Sequence, residues 1–114
     1  MGSKVAPSLR SSGPMTASDL SGIDALHRLV AVAETDTGQS QRVASFLLAW
    51  WNAQACGGFD LTELWGVEAP IRDDMLAVLE LIAQHREFPT AYGFGDAFQG
   101  LVQRWRPGLV QTHR

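Results

Sequence analysis

The chain has 114 residues, 46% of them hydrophobic, with nine Lys and Arg against twelve Asp and Glu and a formal net charge of -3. That length holds one compact domain with a single core and is short for two. The acidic excess, with Lys4 and Arg10 both in the N-terminal stretch, makes nucleic acid an unpromising partner and an anionic membrane surface equally so.

The single cysteine, Cys56, excludes an intramolecular disulfide framework and suits a reducing compartment. Residues 1–18 lack the apolar h-region of a signal peptide, and no uninterrupted apolar run is long enough to span a bilayer. The expected location is cytoplasmic, with no membrane partner. Rich in Ser, Gly and Pro, residues 1–18 have few large apolar side chains to offset the entropy of ordering them. They are expected to form a disordered tail ahead of a single helical domain at 19–110, with a flexible C-terminus at 111–114.

Over 19–34 the apolar residues Ile23, Leu26, Leu29, Val30 and Ala33 recur every three or four positions, opposite Asp24, His27, Arg28 and Glu34. This spacing predicts an amphipathic helix with Asp19 or Ser21 as N-cap. Residues 35–38 read as a short connection to an antiparallel neighbour. The second helix, 39–55, carries one stripe of Val43, Phe46, Leu47 and Trp50 and another of Leu48, Trp51 and Ala55. A helix apolar nearly all round is central, or completes its burial against a partner. Gly57-Gly58 ends it, a left-handed glycine C-cap being expected.

Asp60 and Glu63 have the spacing of a capping box, and Leu61, Leu64 and Trp65 suggest a short helix lidding the core. Pro70 suits the first turn of the next helix, where Asp73 and Asp74 complement the dipole. That helix runs to about residue 86, with Ile71, Met75, Val78, Leu79 and Ile82 pointing inward. The Pro/Gly/aromatic loop at 88–95 is expected to fold Phe88, Tyr92 and Phe94 onto the core. Phe98, Leu101, Val102 and Trp105 predict a last helix, ended by Pro107-Gly108. With no alternating strand pattern, the fold class is all-α: a compact bundle of four main helices and one short one.

The chemistry-bearing residues do not assemble into a recognised motif. Cys56 stands near a helix C-terminus, where the dipole works against a thiolate, and nothing local ties it to His85 with Asp60 or Asp96 as a Cys-His-Asp set. His27, His85 and His113 have no metal-ligand spacing, and neither Gly57-Gly58 nor 92–95 has the context of a phosphate loop. A helix-turn-helix reading would put Asp73 and Asp74 against phosphates. No catalytic, cofactor-binding or metal site is therefore assigned. Adjacent Trp50 and Trp51 diverge by about 100° around the helix, so only one shares the main stripe. Trp50 is the expected core residue. Trp51 is then covered by the first helix, by the 88–94 loop or by another molecule; in the last case Leu48, Trp51 and Ala55 meet another protein or a second copy in a homodimer, with Arg104 and Arg106 as a small basic patch.

The segments 43–53, 57–67 and 82–86 resemble a small domain family of uncharacterised bacterial proteins, often encoded on integrative conjugative elements and related mobile DNA. The resemblance implies a bacterial cytoplasm and an accessory role, and carries over no activity and no functional residues. The expectation is a non-enzymatic helical interaction module of a mobile element. A DNA-associated accessory factor using Arg104 and Arg106 is the alternative, and a small cysteine-based enzyme built on Cys56 and His85 is a third reading.

Overall fold

The computed structural model describes residues 15–111 and is all-α, with no strand among them. Its helices are α1 (Ala17–Ala33), α2 (Gly38–Cys56), α3 (Ala69–His85), α4 (Gly95–Trp105) and the short α5 (Pro107–Gln111). Two 3-10 helices, Leu61–Gly66 and Pro89–Tyr92, stand in the α2–α3 and α3–α4 connections. The tail expected at 1–18 falls mostly outside the described residues, as do residues 112–114.

Capping moves the start of α1 forward. Thr16 is the N-cap: its hydroxyl accepts from the Asp19 N–H at 3.1 Å, and the Asp19 carboxylate accepts from the Thr16 N–H at 3.0 Å. Asp19 is thus the N3 residue of a capping box and Ser21 an ordinary helical position, because Thr16 offers both a hydroxyl and an extended backbone three residues ahead of the helix predicted at 19. Thr37 and Ser40 repeat the reciprocal arrangement at the head of α2.

Near its end α2 is interrupted. Asn52 leaves helical geometry at φ -169°, ψ 88°, and its side-chain oxygen accepts from the Ala55 N–H at 3.2 Å, recapping a final turn that ends at Cys56. Gly57 follows with φ 98° and ψ 155°, a positive-φ conformation open to glycine but different from the left-handed helical cap expected.

Helix α1 is the hub, packing along both α2 and α3, while α4 packs against α2 and carries α5. Three contacts fix α1 and α3 as antiparallel: His85 meets Asp19, Leu81 meets Gly22, and Asp74 meets Arg28. The core between these helices is built from Leu26, Leu29, Val43, Leu47, Leu48, Met75, Val78, Phe98 and Leu101, all fully buried or nearly so. Leu81, absent from the inward set predicted for α3, is buried against α1, whereas Leu79 is exposed. Two faces of α3 explain the exchange: Asp74, Val78, Leu81 and His85 turn toward α1, and Leu79 follows the stripe of Ile71, Met75 and Ile82 beside it.

Polar ties complete the assembly. The Trp105 indole donates to the Ala33 carbonyl at 2.8 Å, locking the end of α4 to the end of α1. Arg106 donates to the carbonyls of Cys56 and Trp105, both at 2.9 Å, and reaches Ser45 Oγ at 3.4 Å. Arg28 grips Asp74 through two hydrogen bonds, so that carboxylate serves the α1–α3 seam; α3 begins at Ala69, which puts Asp73 and Asp74 beyond the first turn where they were expected.

The Asp19 carboxyl is held below the usual carboxylate range, first by the Thr16 backbone N–H and then by His85, whose Nε2 donates from 2.8 Å. A depressed carboxyl pKa stabilises the fold above the unfolded value near 4, and the contribution disappears as pH falls through the folded value. Urea unfolding of the parent and Asp19→Asn should therefore differ most near neutrality and converge on acidification. A gap that stays constant from neutral pH to pH ~2 would show that the carboxylate charge contributes nothing there.

Candidate functional site

Because α1 separates α2 from α3 on one side, those two helices leave an apolar groove between them. Phe46, Ala49 and Trp50 of α2 form one wall and Leu79 and Ile82 of α3 the other. Phe59, Leu61 and Leu64, from the connection between the helices, complete a hollow of about 280 Å³. Phe59 sits edge-on to Phe46 with ring centroids 5.4 Å apart. Trp50 is held in place by its indole N–H, which donates to the Glu87 carbonyl at 3.0 Å.

The 3-10 helix Leu61–Gly66 shapes one rim, and it is more open than a lid. Asp60 caps it by accepting from the N–H and hydroxyl of Thr62, which holds its carboxyl below the usual range. Glu63, expected to close a capping box, instead accepts from Arg42 Nε at 2.8 Å, because the 3-10 geometry turns it toward α2. Gly66 lets that guanidinium lie against the backbone: a Cβ there would fall 2.5 Å from Arg42 Nε. Leu64 is half-buried, while Leu61 and Trp65 stand in solvent.

Chemically the groove offers contact area and little else. All eight lining side chains are apolar, and the one polar hydrogen among them, on Trp50, is already donated to Glu87. A site that orients a small polar substrate needs convergent donors and acceptors. Two other hollows are smaller. One, of about 210 Å³, is lined by Gly38, Gln41, Arg42, Ser45 and Glu63, but its cation is ion-paired to its carboxylate. The other, of about 250 Å³, lies among Trp51, Phe88 and Thr90. Phe88 is exposed there, contrary to the expectation that the whole 88–95 loop folds inward, while Phe94 is buried as expected.

The predicted partner-binding residues do not share a surface. Leu48 is 0% exposed and belongs to the monomer core, so it cannot touch a partner. Trp51 is half-buried and stacks on Phe98, ring centroids 5.5 Å apart and 28° from parallel. Ala55 is exposed beyond the Asn52 break. Arg104 is exposed over the Trp105 ring, and Arg106 is spent on main-chain carbonyls. Phe98 fills the space in which the second α2 stripe was expected to need another molecule.

Cys56 is buried, its thiol pushed up by desolvation despite the Arg106 charge nearby, and His85 gives its Nε2 to Asp19. Among the described residues, no group of three or more His, Cys, Asp or Glu is placed to hold a metal ion. No helix there is long and apolar enough to cross a membrane. The groove itself was not marked in the sequence: Phe46 and Trp50 read there as part of the core stripe with Val43 and Leu47, and the apolar surplus on α2 pointed instead to Leu48, Trp51 and Ala55.

A family model described as a family of unknown function (DUF7673) matches residues 23–106, and the chain belongs to that family. The matched span begins within α1 and ends at the Arg106 cap of α4, so it holds every groove residue. No curated protein and no solved structure matches the chain.

Proposed function

We propose that this chain is a non-enzymatic helical interaction module that receives an apolar segment of a protein partner in the groove between α2 and α3. The observation carrying this reading is a groove walled only by apolar side chains, with Leu61 and Leu79 left in solvent at its edge. Exposed apolar surface of this kind costs solubility, and its usual use is recognition. Hydrophobic side chains set between two helices suit the apolar face of a helix or extended segment. The resemblance to proteins of conjugative elements supports an accessory role in a bacterial cytoplasm.

The DNA-associated alternative draws less support. Arg28, Arg42 and Arg72 are ion-paired and Arg106 is committed to carbonyls, leaving Arg86 and Arg104 as separate cations among the described arginines. Phosphate tracking needs a continuous stripe. A cysteine enzyme draws less still, with the thiol buried and His85 engaged by Asp19.

The test is affinity capture from a bacterial host lysate with the parent and with Leu79→Glu, beside an anisotropy titration with duplex DNA. A discrete protein retained by the parent and lost with Leu79→Glu is expected, together with no submicromolar DNA binding. Capture that is identical for the two baits, or tight salt-sensitive DNA binding, would remove the groove from the explanation.

A further inference from the structure

We propose that the polar hollow beside the first turns of α2 binds a small monocarboxylate, held between the Arg42 guanidinium and the Ser45 hydroxyl. Its lining residues are Gly38, Gln41, Arg42, Ser45 and Glu63, none of which lines the apolar groove. The site therefore stands independently of the groove and of its occupant.

Two glycines make room for the cation. At Gly66 a Cβ would fall 2.5 Å from Arg42 Nε and 3.0 Å from Nη2, and at Gly38 a Cβ would lie 3.6 Å from Nη1. The bond to Glu63 uses Nε alone, at 2.8 Å, so neither Nη nitrogen has an acceptor among the described residues. Nearly one turn further along α2, Ser45 Oγ accepts from Arg106 Nη2 at 3.4 Å, and its own proton has no acceptor among those residues either. Gln41 adds an exposed amide to the same hollow. Polar groups converging on a concave surface orient a small ligand, and a planar guanidinium matches a carboxylate.

Charge selects the ligand. Arg106 is half-buried, and its acceptors are the carbonyls of Cys56 and Trp105 and the Ser45 hydroxyl, all neutral. A guanidinium partly withdrawn from water without a carboxylate partner favours an anion beside it. Arg106 does not itself line the hollow and reaches it through Ser45. With Arg42 balanced by Glu63, one positive charge remains for the ligand to meet. Three acidic residues precede the flanking elements: Asp36 ahead of α2, Asp60 ahead of the 3-10 helix and Glu68 ahead of α3. All are exposed, and none lines the hollow or pairs with either arginine. Their repulsion, screened by salt, grows with the charge of the ligand, which disfavours a phosphate dianion or a polyanion. A volume of about 210 Å³ suits a small acid.

Titration of the full chain with sodium acetate at neutral pH tests this, followed by proton–nitrogen correlation NMR with sodium chloride holding the ionic strength constant. Saturable shifts are expected at the amides of Gly38, Gln41, Ser45 and Gly66, with a Kd on the order of 1 mM, suited to a ligand of few atoms. Arg42→Gln should raise that Kd at least ~10-fold and Ser45→Ala ~5-fold, the effects of losing a charge-assisted and a neutral hydrogen bond. Arg104→Gln, which removes an exposed cation outside the hollow, should leave it unchanged. Circular dichroism checks that each variant is folded, and Arg42 contributes to the monomer only one half-exposed ion pair. Inorganic phosphate, as the second probe, should bind more weakly than acetate. Shifts that stay linear to ~0.1 M acetate, or a Kd that neither Arg42→Gln nor Ser45→Ala changes, overturn the site. Phosphate binding tighter than acetate overturns its assignment to a monocarboxylate.

Discussion

Replacing Phe98 by Ala is expected to cost about 3–5 kcal/mol, the range for deleting a fully buried aromatic side chain. Phe98 is completely buried and is the common neighbour of three rings: Trp51 stacks on it at 5.5 Å, while Trp50 and Phe94 meet it edge-on at 6.0 and 6.4 Å. Such ring pairs contribute about 0.5–1.5 kcal/mol each beyond area burial. A domain of this size has about 5–15 kcal/mol in total, so one substitution removes a large share. Urea unfolding followed by tryptophan fluorescence measures it, and a loss below about 1 kcal/mol would show that α4 is not held to α2 through this ring. Trp51→Ala should also destabilise the monomer, though less, because its indole is only half-buried. That differs from a pure interface residue, whose loss leaves the monomer untouched.

The fold class was readable because each helix carries its own record of burial, in three- and four-residue spacings with Gly or Pro at the ends. The apolar faces of α1 and α4 were recovered almost residue by residue. Less legible were features set by a distant partner. Leu81 and Leu79 exchange places relative to a single-stripe reading because α3 faces α1 on one side and the groove on the other. Glu63 leaves its capping box for Arg42, a residue 21 positions earlier. The sequence leaves α1, the 88–94 loop or another molecule as the cover for Trp51, whereas the ring it stacks on is Phe98 of α4, 47 residues later. A one-dimensional pattern specifies which face of a helix is apolar, but not which neighbour covers it. For that reason the groove, defined by residues of two helices and the loop between them, was not legible: Phe46 and Trp50 read as core, and the apolar surplus on α2 pointed to Leu48, Trp51 and Ala55.

Replacing Gly22 by Leu is expected to cost about 3 kcal/mol, the upper part of the range for overfilling a packed contact. A Cβ at this position would lie 3.2 Å from Leu81 Cβ and 3.3 Å from the Ala77 carbonyl oxygen. Neither neighbour is the free end of a flexible chain: one is fixed to the α3 backbone and the other is that backbone. Glycine inside a helix costs up to about 1 kcal/mol relative to Ala, and here it permits the close approach of α1 and α3. Polar ties on either side resist separation, Asp19 to His85 at 2.8 Å and Arg28 to Asp74 at 2.9 Å. To admit a leucine the helices must part, stretching both ties and opening space beside Leu26, Leu29 and Val78. With Gly22→Ala, the gain in helix propensity and the tight methyl contact oppose each other, and the net change should stay within about 1 kcal/mol. Denaturant unfolding of the two variants makes the comparison. A Gly22→Leu protein as stable as the parent would mean that α1 and α3 separate without penalty, and that the seam placing α3 across the groove from α2 is not rigid.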